Sequence, residues 1–216
     1  MRIAAGRTLG PRAATIGIAI ATAAAYLVAS ALGLSDQAAL ALGFIPARIG
    51  GLPVDFAAVP AWLTPLTATL VHANLLHLGL NLLIFVLCGS LVERVLGTGP
   101  LIVIYVVAAY AAALAQWVVD PDSTQTMVGA SGAISGVIGA YALSFGRQKR
   151  IVANRKLNAF LNALWLLAAW IVLQWMMKLL AGLQLGMLLA TGAHIGGFIA
   201  GLVLQRPLLL WKYRKA

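Results

Sequence analysis

Six long stretches of the 216-residue chain contain mostly apolar residues and almost no charged ones. A helix that crosses a bilayer needs about 20 such residues. The stretches therefore predict six membrane-spanning helices, at about 13–34, 73–92, 100–119, 126–146, 157–179 and 185–206. The first stretch is long enough to span, so we interpret it as a retained helix and not as a cleaved signal peptide. The fourth and sixth are rich in glycine, which is typical of helices that pack closely in lipid.

The segment between the first two spans, residues 35–72, has a different pattern. It holds four of the eight prolines of the chain and few charges, although it includes apolar runs. Proline interrupts a helix too often here for the segment to span. We expect it to lie in the outer membrane interface as short amphipathic turns. An ordinary extracellular loop is the alternative.

The composition supports a membrane protein and excludes several other classes. Hydrophobic residues make up 62% of the chain and charged residues 9%, whereas soluble domains have about 25% charged residues. The net charge of +10 is scattered among apolar runs, so we expect no nucleic-acid partner. The single cysteine, Cys88, excludes a disulfide within the chain and any cysteine-based metal motif.

The placement of the charges predicts the orientation. If the N-terminus is cytoplasmic, 13 of the 15 basic residues lie inside, and only Arg48 and Lys178 lie outside. Four of the five acidic residues then lie outside. This division satisfies the positive-inside rule and predicts a multi-pass protein with both termini in the cytoplasm. We expect a single membrane domain over residues 1–216, without a separate soluble domain.

A few polar residues fall inside the predicted spans, where they are costly unless they face inward and often have a function. We take His72, Asp122 and Gln184 to mark the outer edges of the second, fourth and sixth spans. At about 1.5 Å of rise per residue, Asn81, Ser131 and His194 each lie about 13 to 15 Å below these edges. Three different spans are thus predicted to place a polar side chain at about the same depth in the membrane. The full set comprises His72, His77, Asn81, Gln116, Ser131, Ser135 and His194.

The glycines predict which of these spans touch. Gly132 and Gly136 in the fourth span, and Gly197 and Gly201 in the sixth, are small residues four positions apart, a spacing that lets two helices approach closely. Ser131 precedes the first pair and His194 lies one turn before the second. The two side chains are therefore expected to meet as a nucleophile and its base.

The remaining polar groups complete an acyl-transfer site. No acidic residue lies in the outer half of a span, so we expect a Ser–His dyad and not a triad. Donors for the oxyanion could come from the Asn81 amide, from the His77 ring on the same helix face, and from the Ser131 backbone N–H. The motif of a zinc protease, a pair of membrane aspartates and the mid-depth carboxylate of a proton-coupled transporter are all absent. Taken singly, each polar residue could instead serve to hold helices together.

Three motifs in this order resemble those of the rhomboid intramembrane serine proteases. They are His72-x4-His77-x3-Asn81, Gly129-Ala130-Ser131-Gly132, and Ala193-His194-x-x-Gly197-x-x-x-Gly201. The resemblance covers about residues 60–205 and implies the all-α, six-transmembrane-helix bundle of the minimal bacterial form, with an interfacial first loop.

The resemblance also implies roles. Ser131 would be the nucleophile and His194 the base, and His77 and Asn81 would line the oxyanion hole with the Ser131 backbone. His72, Gly129, Gly132, Gly197 and Gly201 would support the site. The fifth span would be a mobile gate. Substrates would be transmembrane helices cleaved near their outer end, in a bacterial plasma membrane, without a cofactor or metal.

Two positions depart from the family pattern. Leu63-Thr64 stands where many relatives carry Trp-Arg, which leaves the anchoring of the first loop open. Ser135 stands where relatives often place an aromatic ring on the histidine, which leaves the orientation of His194 open. A catalytically inactive relative that binds membrane proteins is the alternative function, and a small transporter is a third. The sequence leaves the oligomeric state open.

Overall fold

The computed structural model describes residues 12–146, 150–184 and 190–214. Over these ranges the regular structure is helical, apart from one isolated bridge between Phe44 and Met127. Short 3-10 turns connect the helices of the first loop. In chain order the α-helices are α1 Ala13–Ala31, α2 Ser35–Leu42, α3 Thr64–Thr67, α4 Leu75–Leu96, α5 Thr98–Val119, α6 Ser131–Phe145, α7 Arg155–Gln184 and α8 Thr191–Lys212.

The protein is an all-helical membrane protein, and five of its described helices are long and apolar enough to cross a membrane. These are α1, α4, α5, the Arg155–Leu173 part of α7, and α8. They correspond to five of the six predicted spans. The predicted start of the last span, at about 185, lies outside the described residues, and α8 continues past the predicted end to Lys212.

The predicted fourth span, 126–146, begins too early. Its helix, α6, starts at Ser131 and has 15 residues, which is about 22 Å at 1.5 Å per residue and less than a hydrocarbon core of about 30 Å. Met127 is instead extended and paired with Phe44, and Gly129 has a φ of +114°. Backbone contacts outside the helix therefore override the apolar pattern.

Helices α4, α5, α6 and α8 form the centre of the bundle, with α1 packed on α4 and α7 packed mainly on α8. The apolar side chains that face lipid stay exposed, as on α4 and α5. Small residues between α5, α6 and α8 bring these helices together, whereas larger side chains fill the space between α4, α5 and α6. The buried core includes Phe85, Val92, Leu96, Leu101, Ile104, Ile134 and Val137.

Hydrogen bonds within the first loop hold its turns in place. Thr64 is buried, and its hydroxyl donates to the Ala61 carbonyl, 2.6 Å away. Arg48, from elsewhere in the loop, reaches across it and donates from Nη2 to the Val59 carbonyl at 2.8 Å. The Thr67 hydroxyl donates to the Leu42 carbonyl at 2.7 Å. The loop is thus held by its own backbone carbonyls.

The same loop holds the segment that precedes α6. Phe44 and Met127 exchange two backbone hydrogen bonds, of 2.9 and 2.8 Å. The Gly129 N–H donates to the Ala68 carbonyl at 2.9 Å. Because these bonds satisfy backbone groups that have no helical partner, the turn that leads into Ser131 has a defined position.

At the opposite end of the bundle, the buried carboxylate of Glu93 joins three helices. It accepts hydrogen bonds from the Ala14 and Thr15 backbone N–H groups at 3.0 and 2.9 Å, and from the Thr15 hydroxyl at 2.6 Å. The Thr98 hydroxyl donates to it at 2.8 Å. A carboxylate at the N-termini of α1 and α5 is also favoured by the helix dipoles.

We expect Glu93→Ala to lower the free energy of unfolding by about 2 to 4 kcal/mol, because it leaves the buried donors of Ala14 and Thr15 without an acceptor. Denaturant-induced unfolding in micelles measures the change. Glu93→Gln keeps the shape and one strong acceptor oxygen, so it should lose less. Equal stability of Glu93→Ala and the wild type would contradict the structural role.

Candidate active site

Ser131 and His194 are brought into hydrogen-bond contact. Ser131 is the first residue of α6, and His194 lies in the first turn of α8. The Ser131 Oγ and the His194 Nε2 are 2.8 Å apart, and both side chains are partly buried. The sequence pairs these residues through glycine spacing, and the structure places them together. This is the geometry that a hydroxyl nucleophile and its base require.

Glycines make this contact possible. A Cβ on Gly197 would overlap the Gly132 carbonyl, and a Cβ on Gly201 would overlap the Gly136 carbonyl. Gly136 in turn lies against Ala108 of α5. The backbones of α6 and α8 therefore touch along the stripe that the sequence predicts, and no larger side chain fits between them.

The turn before Ser131 is shaped by Gly129 and by two histidines. Gly129 has a positive φ that residues with a Cβ rarely adopt, and an added Cβ would lie 2.6 Å from the His77 Cε1. The Ala130 N–H donates to the His72 Nε2 at 3.4 Å. Burial, with a smaller contribution from His77, lowers the pKa of His72 to about 4. His72 is therefore neutral near pH 7 and can accept this bond.

His77 and Asn81 lie on the first turns of α4. The Asn74 side chain caps the helix by accepting from the His77 N–H at 2.8 Å. The Asn81 amide is buried and donates to the His77 carbonyl at 2.9 Å, which uses one of its two N–H groups. The rings of His72 and His77 meet edge-on, with centroids 5.0 Å apart. Both histidines therefore contact the turn at Gly129 and Ala130, and they contact each other.

Ser135 does not reach His194 as an aromatic residue would. It is buried, and its hydroxyl donates to the Ser131 carbonyl at 2.7 Å. Trp170 of α7 contacts the histidine's turn instead. Its Nε1 donates to the His194 carbonyl at 3.3 Å, and its ring stacks on Phe198 with centroids 4.9 Å apart. Sequence reasoning missed Trp170, since a tryptophan in an apolar span carries no signal of an inward contact.

The predicted depth of Ser131 is wrong, because it assumes helical rise from Asp122 and residues 120–130 are not helical. A straight extended chain advances about 3.3 Å per residue, so nine residues of non-helical chain do not give a depth of about 13 Å. The glycine pairs predict the contact between α6 and α8 without any estimate of depth, and this contact is observed.

We expect Gly201→Ala to destabilise the protein by about 1 to 3 kcal/mol, as overpacking of a tight contact does, because its Cβ would overlap the Gly136 carbonyl. Thermal unfolding in detergent measures the loss. Gly79→Ala is the matched control, because nothing lies within 4 Å of its added Cβ and alanine favours a helix over glycine. Equal midpoints for the two variants would contradict the close contact.

The comparisons with known proteins identify the family of the chain. Residues 60–211 match the family model described as the Rhomboid domain. The chain is similar to a protein of Salmonella choleraesuis (strain SC-B67) named Rhomboid protease GlpG, with 36% identity over 140 residues, or 64% of this chain and 45% of that protein. A protein of the same name from Salmonella paratyphi A is 35% identical over the same coverage. The chain thus spans less than half the length of these curated relatives. Because the family model covers more than half of it, the chain belongs to the rhomboid family.

Proposed function

We propose that this protein is an intramembrane serine endopeptidase that cleaves transmembrane helices of membrane proteins near their outer end. The observation that carries the proposal is the 2.8 Å contact between the Ser131 Oγ and the His194 Nε2. The name of the curated relatives, Rhomboid protease, supports the same reaction class.

The dyad performs the acyl transfer in two halves. His194 Nε2 takes the hydroxyl proton while Ser131 Oγ attacks the scissile carbonyl carbon, and the carbonyl electrons move onto its oxygen. The intermediate collapses to an acyl-enzyme, and the imidazolium gives its proton to the leaving amine. Water then attacks the ester, His194 takes a proton from it, and the returning proton restores the Ser131 hydroxyl.

A carboxylate partner for the histidine is not part of this proposal. Glu93 is engaged by Thr15 and Thr98 at the other end of the bundle, and the remaining acidic residues stand outside the predicted spans. For the serine to donate, Nε2 must be unprotonated, so the neutral ring carries its proton on Nδ1. Packing at the turn of α8 that Trp170 and Phe198 contact then holds the ring.

The oxyanion hole combines one backbone donor with two side chains. The Ser131 N–H is the first of α6, and the first N–H groups of a helix have no partner within it. The positive end of the α6 dipole points at the same place. The second N–H of the Asn81 amide and the His77 ring supply further donors from α4. The His77 ring lies against Gly129, two residues before Ser131, and the Asn81 amide donates to the His77 carbonyl. These two contacts support the assignment of both groups to the oxyanion hole.

The substrate must expose its backbone to reach these groups. The carbonyls of an intact transmembrane helix are hydrogen-bonded within it, so the scissile segment has to unwind near the dyad. Small or helix-breaking residues lower the cost of unwinding. Helix α7 is the element we propose to yield to substrate, since it packs mainly on α8. The protein would lie in a bacterial plasma membrane with both termini in the cytoplasm.

Ser131→Ala should abolish labelling by a fluorophosphonate probe and cleavage of a reconstituted transmembrane substrate, because the attacking oxygen is gone. His194→Ala should slow both by about 10²- to 10³-fold or more, since the hydroxyl then lacks its base. In-gel fluorescence and mass analysis of the products measure the two reactions.

Ser135→Ala is the matched control, because it removes a buried hydroxyl one turn further along the same helix. It should leave labelling within about twofold, as expected for a hydroxyl that bonds only to the backbone. Labelling that persists in Ser131→Ala, or that disappears in Ser135→Ala alone, would refute the assignment of the nucleophile.

Asn81→Ala should lower kcat by about 10²- to 10³-fold with little change in KM, because an oxyanion donor acts mainly in the transition state. Single-turnover cleavage in proteoliposomes measures it. Asn162→Ala is the matched control, since Asn162 is also buried and also donates to the carbonyl four residues back, that of Asn158, at 2.8 Å. Equal losses of kcat in the two variants would point to general destabilisation and against an oxyanion role.

A further inference from the structure

The two parts of the chain differ sharply in charge. All five acidic residues and five of the basic ones lie within residues 1–122, so this part is neutral overall. Residues 123–216 contain ten basic residues and no acidic one, and they carry the whole net charge of +10. Basic groups in this second part have no acidic neighbour along the chain that could neutralise them.

Two of these basic residues line a pocket in the connection between α6 and α7. The cavity has a volume of about 310 Å³ and is lined by Arg150, Val152, Ala153, Arg155 and Asn158. It follows the C-terminal end of α6, whereas Ser131 begins that helix. The pocket and the Ser–His pair thus lie toward opposite ends of α6.

The wall of the pocket is fixed by side-chain amides. Asn158 Oδ1 accepts the backbone N–H groups of Ile151 and Val152 at 2.7 and 3.2 Å, which ties the connection to the first turn of α7. Asn154 Oδ1 accepts from Lys156 and Leu157 at 3.0 and 3.1 Å and caps the helix. The two arginines therefore flank a connection whose backbone is held in place.

Within the described part of the chain, no carboxylate pairs with Arg150 or Arg155. The one acidic residue predicted on this face, Glu93, is buried among its hydroxyl and backbone donors. Guanidinium groups prefer a partner that can accept two parallel hydrogen bonds, which a phosphate does. We therefore expect the two arginines of the pocket to bind an anion that does not belong to the chain.

Exposed apolar side chains at this end of the bundle indicate what kind of molecule brings that anion. Ile151, in the connection, and Leu157 and Phe160, in the first turns of α7, are 53%, 47% and 62% exposed. At 3.6 residues per turn, Leu157 and Phe160 lie on the face of α7 away from Arg155 and Asn158. Two arginines at the end of a helix whose other face is apolar and exposed fit a phospholipid, which has a charged headgroup and acyl chains. A free phosphate would use only the arginines.

We propose that this pocket binds the headgroup phosphate of an anionic phospholipid, in the leaflet opposite to the one nearer the dyad. Arg150 and Arg155 contact the phosphate, and the acyl chains extend into the lipid around the bundle. Basic pockets at the membrane surface bind anionic headgroups in this way. The bound lipid would hold the start of α7 at the membrane surface.

Native mass spectrometry of the purified full chain, titrated with dioleoyl phosphatidylglycerol or with dioleoyl phosphatidylcholine, tests the proposal. The anionic lipid should bind at least about fivefold more tightly. The double variant Arg150→Gln/Arg155→Gln should lose about tenfold in affinity for it and bind both lipids alike. Asn158→Ala, which keeps every charge but releases the connection, should also weaken binding.

The matched control is Arg206→Gln/Arg214→Gln, which removes two exposed charges from α8 and the residues that follow it. It should stay within about twofold of the wild type, as distant surface charges do. Equal losses of lipid affinity in the two double variants would mean that the overall positive charge attracts the lipid, and this would overturn the proposed site. Equal binding of the two lipids would overturn it as well. If glycerol phosphate, at the same concentration as the lipid, displaces the lipid from the protein, then the pocket binds a free phosphate and the phospholipid proposal is overturned. None of these measurements uses proteolysis, so they are independent of the proposed function.

Discussion

The close contact between α6 and α8 is the constraint on which the candidate site depends. In lipid, apolar side chains gain little by leaving their surroundings, so helices associate through close packing and polar contacts. Gly197 and Gly201 face the carbonyls of Gly132 and Gly136 with no space for a methyl group. Only at this backbone separation can a short serine side chain reach an imidazole on the neighbouring helix. The chemistry proposed for Ser131 and His194 therefore depends on the packing of these glycines.

A second constraint is that the backbone is helical from Ser131 onward but not before it. Because α6 begins at Ser131, its first N–H groups have no partner within the helix, as the proposed oxyanion hole requires. The preceding backbone must then find other partners at the depth of the membrane, because unpaired polar groups there are costly. Phe44, Ala68 and His72 supply them. The first loop thus allows a helix to start beside the dyad, and this role explains why a segment so rich in proline packs against the bundle.

The sequence predicts the pieces that depend on local pattern. Apolar length identifies α1, α4 and α5 within a few residues, and glycine spacing identifies the contact that unites Ser131 with His194. Prediction from the sequence fails where contacts between residues distant in the chain determine the backbone conformation. The pairing of Met127 with Phe44 shortens α6, and nothing in residues 126–130 shows this. Likewise, no residue pattern shows that Trp170 contacts the turn of His194, or that Arg48 reaches the Val59 carbonyl, because both contacts depend on how the helices and loop turns are placed.

Different kinds of contact hold the helices together at the two ends of the bundle. At the end away from the dyad, Glu93 joins α1, α4 and α5, and the Lys212 Nζ donates to the Val95 carbonyl at 2.8 Å, which attaches α8 as well. Charged groups secure four helices there. Near Ser131 and His194, histidine and asparagine side chains and the close contact between α6 and α8 predominate, and α7 packs mainly on α8. The proposed entry of a substrate helix requires α7 to move while the rest of the bundle stays fixed. The buried carboxylate of Glu93 and the glycine contact between α6 and α8 provide that fixed part.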